Sequence, residues 1–193
     1  RLADGSYLSS VNKGTTLHAP VDAIDQMGHA LSRIIHAFAE VDNDAKVFMA
    51  KYDIKDGFWR LECAEGEEWN FAYVLPQHTG EPTRLVVPTS LQMGWVESPA
   101  YFCTASETGR DVAQQYIETE IGPLPKHKFL HHTMDSPDVD TLPTTAPGQL
   151  RYLIDVYMDD YIQLAIPTSK EQLEHCANAV LQGIHDIFPA NST

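Results

Sequence analysis

Apolar residues recur along the chain with two periods, and these periods predict alternating helices and strands. Steps of three and four residues over 20–40 predict one amphipathic helix. A second helix is predicted over 98–118, with Ser98 as its cap and Pro99 as its first residue. A third is predicted to follow Ser169 or Thr168, either of which can cap it, and to run to about residue 187. We expect the periodic apolar residues of the first helix to pack in the core, namely Ile24, Met27, Leu31, Ile34, Ile35 and Phe38.

Strand-type segments separate these helices. Residues 46–54 read as one strand, 68–76 and 83–88 as a pair joined by a turn, and 151–165 as a hairpin. Residues 119–150 hold five prolines and are predicted to form a loosely packed surface insertion. This order predicts an α+β fold, with helices on one face of a mainly antiparallel sheet, as in a ferredoxin-like arrangement.

The hairpin carries two adjacent carboxylates, Asp159 and Asp160, at its tip. Taken alone, such a pair favours a solvated turn, since Asp is a common turn residue. Neighbouring carboxylates repel each other, however, unless a cation lies on them. Asp53 ends the strand over 46–54, so three carboxylates converge if these strands are neighbours. Oxygen ligands of this kind suit magnesium, and two such ions ~3.5–4 Å apart can promote phosphoryl transfer.

Composition narrows the possible partners. The 193 residues suffice for one domain, but a net charge of −14 argues against binding a phosphate backbone unless cations or basic parts elsewhere compensate. No apolar run approaches the ~18 residues of a membrane span, so no membrane partner is expected. Three widely spaced cysteines predict a reducing, intracellular compartment. The insertion's three histidines lack a fourth metal ligand and are expected to be exposed; they are His127, His131 and His132.

Three segments together resemble the catalytic motifs of reverse transcriptases. Residues 53–59 (Asp-Ile-Lys-Asp-Gly-Phe-Trp) resemble the first motif, and 92–99 (Gln-Met-Gly-Trp-Val-Glu-Ser-Pro) resemble the second. Residues 157–160 (Tyr-Met-Asp-Asp) match the third, in the family's order and with compatible spacing. The resemblance covers roughly residues 10–188 and is closest to gypsy-like and retroviral members. It implies a single palm-and-fingers fragment over 1–193, without the thumb and ribonuclease H domains.

The resemblance also implies roles for individual residues. Asp53 and Asp159 would bind two Mg²⁺ or Mn²⁺ ions, with Asp160 assisting and the Ile54 carbonyl as a further ligand. Phe58 would be the steric gate that favours deoxynucleotides. Phe58 and Trp59 are expected to alternate on a strand, which would place one of them in the site and the other in the core. The nucleotide site would comprise Lys55, Asp56, Gly57, Phe58, Met93 and Gly94, while Tyr157 and Met158 would lie beside the primer end and sugar. Met93 stands where many members have Gln, which leaves the role of Gln92 open.

The implied activity is RNA-directed DNA polymerisation, in which a deoxynucleoside triphosphate extends a DNA primer on an RNA template. The partners would include other polymerase subdomains of a parent polyprotein, in the cytoplasm, the nucleus or a virus-like particle. The family's basic fingers strand is missing, so the fragment is expected to be a poor polymerase alone. One alternative is a domesticated or decayed palm that serves as a binding or structural module. Another is an RNA-templated RNA polymerase, which Phe58 disfavours.

Overall fold

The structure, a computed structural model, describes residues 11–14, 19–119 and 123–189. Helices and strands alternate, as the sequence pattern predicts. The helices are α1 (Val11–Gly14), α2 (Val21–Gly28), α3 (Ala30–Ala39), α4 (Ser98–Glu118), α5 (Leu130–Met134) and α6 (Lys170–Ile187). The strands are β1 (Phe48–Asp53), β2 (Tyr73–Val74), β3 (Leu85–Val86), β4 (Arg151–Tyr157) and β5 (Asp160–Ile166).

A three-stranded antiparallel sheet with the order β1-β5-β4 forms the centre of the described chain. The β4–β5 hairpin closes at Tyr157 opposite Asp160, and β1 pairs with β5 so that Asp53 also lies opposite Asp160. Strands β2 and β3 form a separate two-stranded ladder. The α+β class and the antiparallel sheet are therefore confirmed.

The main core lies between this sheet and the two long helices. Strand alternation places Ile154, Val156 and Tyr161 on the same face, because Tyr161 pairs with Val156 and the next position on that face is Ile154. Phe102 of α4 packs in one cluster with Val156 and Tyr161, and Val180 of α6 packs with Ile154. The opposite face carries Asp53 and Asp160 at one end and the buried Asp155, to which α3 bonds, further along. The prediction that the helices lie on one face of the sheet therefore holds for α4 and α6 and is wrong for α3.

Helices α4 and α6 approach closely because small residues line their crossing. A Cβ atom on Gly183 would lie 2.8 Å from the Cβ of Ala113 and 2.8 Å from the carbonyl oxygen of Gly109. The hydroxyl of Tyr161 donates to the carbonyl oxygen of Ser106 at 2.7 Å in the same layer. A side chain at Gly183 would therefore separate the helices or displace their neighbours.

The first predicted helix differs from expectation in two ways. It is divided at His29 into α2 and α3. The prediction that its apolar residues all pack in the core is wrong for Leu31, Ile35 and Phe38, which are 67%, 58% and 44% exposed. The other three predicted core residues, Ile24, Met27 and Ile34, are half-buried. Helical periodicity identifies an apolar face, but it does not show which element covers that face.

Three local predictions also need correction. The predicted strand pair shrinks to the two-residue strands β2 and β3, and Glu68–Phe71 is a 3-10 turn. Gly57–Arg60 is likewise a 3-10 turn rather than an alternating strand. Ser98 is the first residue of α4 rather than its cap, and its hydroxyl donates to the Gln92 carbonyl at 2.6 Å. The cap of α6 is confirmed, since Ser169 accepts from the Gln172 amide.

Part of the predicted insertion, over 123–150, packs against α6. Leu130 and Val139 are buried. Asn178 of α6 accepts from the His127 amide at 2.7 Å and donates to the Pro125 carbonyl at 3.1 Å. His127 is consequently half-buried instead of exposed. This segment is held by long-range polar contacts that its proline-rich sequence does not reveal.

An ion pair between a half-buried arginine and a buried aspartate connects α3 to β4. Arg33 donates from Nε to Asp155 Oδ2 at 2.7 Å and from Nη2 to Asp155 Oδ1 at 2.6 Å. The Asp155 side chain is 1% exposed, and its Oδ1 also accepts from the Val156 amide. Asp155 therefore has a complete set of partners and serves to fix α3 on the sheet.

Two general properties follow from the described residues. None of the helices within the described ranges is both long and apolar enough to cross a membrane. The cysteines Cys63, Cys103 and Cys176 are free thiols. Burial raises the pKa of Cys103 to about 11 and that of Cys176 to about 12, so both remain protonated near neutral pH.

Candidate active site

The sheet brings the three predicted carboxylate residues to one end. Asp53 ends β1 directly opposite Asp160, the first residue of β5. Asp159 lies in the two-residue loop between β4 and β5, and its carbonyl oxygen accepts from the Ile54 amide at 3.2 Å. The strand end and the hairpin tip are thus joined by backbone pairing, so their relative position is fixed by the sheet.

The ammonium group of Lys51 interacts electrostatically with all three carboxylates. Lys51 Nζ is 2.9 Å from Asp160 Oδ1. The pKa of Lys51 is raised, first by this hydrogen bond and then by the charges of Asp160, Asp53 and Asp159. Lys51 is a site residue that the sequence motifs do not indicate. Its position two residues before Asp53 on a strand was the available signal, because such residues share a face.

The donor chemistry of this end suits a hard divalent cation. Carboxylate oxygens are the ligands that Mg²⁺ and Mn²⁺ prefer, and Lys51 shows that Asp160 accepts a cation. Across the described ranges, however, no three His, Cys, Asp or Glu side chains are arranged as a preformed metal cluster. Lys51 is therefore a competitor that a metal ion would have to displace from Asp160.

Two residues with strained backbone conformations lie next to the carboxylates. Apart from glycine, only Asp56 and Met158 among the described residues have left-handed φ values, 58° and 59°. Each such residue costs about 1–3 kcal/mol and persists where the surroundings hold it. Asp56 follows Asp53 by three positions, and Met158 directly precedes Asp159. Such outliers concentrate at ligand-binding and catalytic sites, which supports a function for this end of the sheet.

Gly57 lies where the first motif contacts the hairpin. It is buried, and a Cβ atom there would lie 2.7 Å from Phe102 Cζ and 3.7 Å from the Cβ of Asp159. The absence of a side chain thus allows the segment to pack between α4 and the hairpin tip. This steric requirement adds to the predicted role of Gly57 in the nucleotide site, and Lys55 and Asp56 beside it are exposed.

Phe58 is anchored beside this glycine. Its ring stacks on Phe102, with centroids 4.6 Å apart and an interplanar angle of 20°. Phe58 remains partly exposed, whereas Trp59 is 57% exposed. Of the two aromatic residues, Phe58 is therefore the one that combines a rigid position with an accessible surface, as a steric gate would require.

The second motif forms a loop held to the rest of the structure by its backbone. Gly94 has φ +94°, a conformation that suits glycine, and its carbonyl accepts from Asn12 Nδ2 at 3.1 Å. The Leu91 amide donates to the Leu61 carbonyl at 2.7 Å, which ties this loop to the segment after the first motif. Met93 is 70% exposed, while Gln92 Nε2 donates to a carbonyl within the loop, at Ser90. Met93 is thus available to a ligand, and the Gln92 amide already has a partner.

The two residues that precede Asp159 differ in their surroundings. Tyr157 is 55% exposed. Met158 is half-buried, and its sulfur lies 3.9 Å from the Cys103 sulfur, which in turn lies 3.5 Å from the sulfur of Met27. Contacts of this kind anchor the strained turn to α4 and α2 while leaving Tyr157 accessible.

Comparison with known proteins adds no assignment. No protein-family model matches the chain. No curated protein matches it either. The chemistry of the site therefore rests on its own residues and geometry.

Proposed function

We propose that this chain carries the metal centre of an RNA-directed DNA polymerase of retroelement type. The observation that carries the proposal is the strand register, which sets Asp53 opposite Asp160 with Asp159 in the adjoining loop. Asp53 meets Asp159 and Asp160, which follow it by more than a hundred positions, at one strained sheet end. A merely solvated turn would not require Asp53 at this position.

In this proposal, Asp53 and Asp159 hold two Mg²⁺ or Mn²⁺ ions, with Asp160 and the Ile54 carbonyl as further ligands. When bound, the ions supply charge stabilisation for phosphoryl transfer. The turn at Lys55, Asp56 and Gly57 receives the triphosphate of the incoming nucleotide. Met93 and Gly94 complete the nucleotide site.

The remaining side chains select the substrate and align the primer. Phe58, fixed by its stack on Phe102, excludes a ribose 2′-hydroxyl and so favours deoxynucleotides. Tyr157 and Met158 lie beside the primer end and the sugar. In this proposal, the antiparallel sheet and the helices α4 and α6 would form the palm, with part of the fingers contributed by other segments of the chain. An RNA template, a DNA primer and further subdomains of the parent protein complete the enzyme.

Primer extension by the full-length parent tests this function. An RNA template, a DNA primer and Mg²⁺ or Mn²⁺ should support extension, and Asp159→Asn should abolish it. Asp138→Asn is the matched control, since Asp138 is an exposed carboxylate paired with Lys46. Extension that persists in Asp159→Asn would contradict the metal mechanism.

A decayed palm that serves as a binding module is the second candidate. The ion pair between Lys51 and Asp160 favours it, because an ammonium already neutralises one proposed ligand. Mn²⁺ titration followed by electron paramagnetic resonance separates the two functions. Binding that is lost in Asp53→Asn supports the polymerase, and the absence of any carboxylate-dependent binding supports the module.

A further inference from the structure

A cavity of about 550 Å³ lies along the outer edge of β1. Strand β1 is an outer strand of the sheet, and the cavity extends from Asp53 to α6 and the segment before α5. Its volume is within the range of about 300–1,000 Å³ that is typical of small-ligand sites. One end of the cavity therefore adjoins the carboxylates of the sheet, and residues outside β1 form most of its wall.

About half of the residues that line this cavity are apolar, and its charged residues are mostly basic, although the chain carries a net charge of −14. Asp53 is the acidic residue of the lining. Lysine and arginine contribute Lys51, Lys55, Arg60 and Lys128. Histidine contributes His127, His132 and His185. In such an acidic chain, this local concentration of basic groups favours an anionic ligand.

Three of these cations have no carboxylate partner among the described residues. Arg60 donates to two backbone carbonyls, those of Lys55 at 2.7 Å and Pro189 at 3.0 Å. Lys128 lies over the Phe129 ring, with Nζ 5.1 Å from its centroid. Most described cations outside the cavity form ion pairs with carboxylates, although Arg84 does not; the paired ones are Arg33, Lys46, Arg110, Lys126, Arg151 and Lys170. The positive charge of Lys55, Arg60 and Lys128 therefore remains available to a ligand.

The edge of β1 supplies hydrogen-bond donors to the same cavity. The Ile54 amide bonds to Asp159, so Ile54 belongs to a hydrogen-bonded pair of the antiparallel ladder. Because such pairs alternate, the backbone groups of Met49, Lys51 and Asp53 face away from β5, towards the outer edge. Outward amides beside unpaired cations form a combination that suits phosphate oxygens.

We propose that this cavity binds a phosphate-bearing anion, and that the anion is the diphosphate released by the polymerase reaction. The identity of the anion rests on the proposed function. In that reaction a bond forms between the primer 3′-oxygen and the α-phosphorus, and the bond between the α-phosphorus and the bridging oxygen breaks. The electron pair leaves with diphosphate, and the hydroxyl proton passes to solvent. The product then moves from the Asp53 end of the cavity to its basic end.

Calorimetric titration of the chain with inorganic diphosphate in EDTA tests the cavity without metal. The double substitution Lys128→Gln/His132→Gln should weaken binding about tenfold or more, because it removes charge-assisted hydrogen bonds. Lys126→Gln is the matched control. Lys126 lies two positions earlier, is 78% exposed and pairs with Glu174 outside the cavity, so binding should change less than about twofold. Lys128→Gln alone, at an exposed position, serves if the double variant does not fold.

Two further arms separate this inference from the polymerase proposal. Asp53→Asn should bind diphosphate in EDTA as well as the parent or more tightly, since a repelling carboxylate is removed, although primer extension would be lost. Binding of a single-stranded oligodeoxythymidine to the cavity variants is measured in parallel. Unchanged diphosphate binding in Lys128→Gln/His132→Gln would overturn the site. Weakened oligonucleotide binding with unchanged diphosphate binding would likewise overturn it, in favour of a nucleic-acid strand.

Discussion

The β4–β5 hairpin contains two acidic regions with opposite properties. In its buried body, Asp155 is 1% exposed and receives two hydrogen bonds from Arg33. At its tip, Asp159 and Asp160 are half-buried, and one exposed lysine pairs with Asp160. Aspartates of one hairpin therefore differ in how far an opposite charge already neutralises them. The body stabilises the fold, and the tip retains charge for a ligand.

The largest expected effect compares the two regions directly. Asp155→Ala should lower the free energy of unfolding by about 2 kcal/mol, because it removes a buried, hydrogen-bonded carboxylate and the acceptor of the Val156 amide, while the half-buried Arg33 left behind is partly screened by water. Asp159→Ala should change it by less than about 0.5 kcal/mol, since it removes a repelling charge at the tip. Urea denaturation monitored by circular dichroism measures both. Equal losses would show that the tip is as structural as the body.

The helix crossing beneath the body provides the next prediction. Gly183→Val should cost about 2 kcal/mol of unfolding free energy, because its side chain would meet Ala113 and the Gly109 carbonyl. Gly28→Ala is the control, since no heavy atom lies within 4 Å of a Cβ at that position. Thermal unfolding should show a lowered midpoint for Gly183→Val only. A midpoint equal to that of the parent would mean that the two helices can separate without cost.

Glu107 of α4 gives the stability of the fold a pH dependence. Burial raises the pKa of Glu107, and the nearby Arg110 and Arg33 partly oppose this, while Asp155 and Asp111 add to it. A carboxyl group with a raised folded-state pKa favours folding when it is protonated. Stability should therefore decrease as pH rises from the ordinary Glu pKa through the raised one. Glu107→Gln should remove this decrease in stability. We expect the decrease to be less than about 1 kcal/mol, because the arginines offset part of the effect of burial on the carboxylate. Urea denaturation from pH 4 to 7 would detect it, and a parallel pH dependence in both proteins would contradict the assignment.

The smallest effect concerns the tip. Lys51→Gln should increase Mn²⁺ affinity about two- to threefold, because it removes a cation that competes for Asp160 through an exposed ion pair. Lys46→Gln, which disrupts an exposed pair with Asp138, is the control and should leave the affinity unchanged. Mn²⁺ titration by electron paramagnetic resonance measures both variants. Weaker binding in Lys51→Gln would mean that the ammonium supports the site instead of competing for it.

Local signals predicted much of this fold. The hairpin, α4 and α6 were predictable because their periodicity, caps and turn residues lie within a few positions of one another. The exposed Leu31, Ile35 and Phe38 were not, since an amphipathic pattern does not identify the covering element. The packing of the insertion depends on Asn178, which lies 51 positions after His127. Long-range polar contacts of this kind leave no periodic trace in the sequence.

The candidate site likewise combines features that local sequence signals predict with features that depend on long-range contacts. Asp53, Asp159 and Asp160 were predictable because each lies at a strand end or tight turn. The 3-10 turn at 57–60 was not, since Phe58 and Trp59 fit both a strand and a turn when read alone. The partnership of Lys51 with Asp160 depends on the register between β1 and β5, which the sequence does not state.

The position of Gly57 between Phe102 and Asp159 has a consequence for how the site can evolve. Because the hypothetical Cβ overlaps the Phe102 ring, a substitution at position 57 becomes tolerable only after position 102 has become smaller. The two positions should therefore show positive epistasis, with Gly57→Ala harmful alone and much less harmful beside Phe102→Leu. A hydrophobic core residue thereby restricts which substitutions are open to the turn that packs against Asp159.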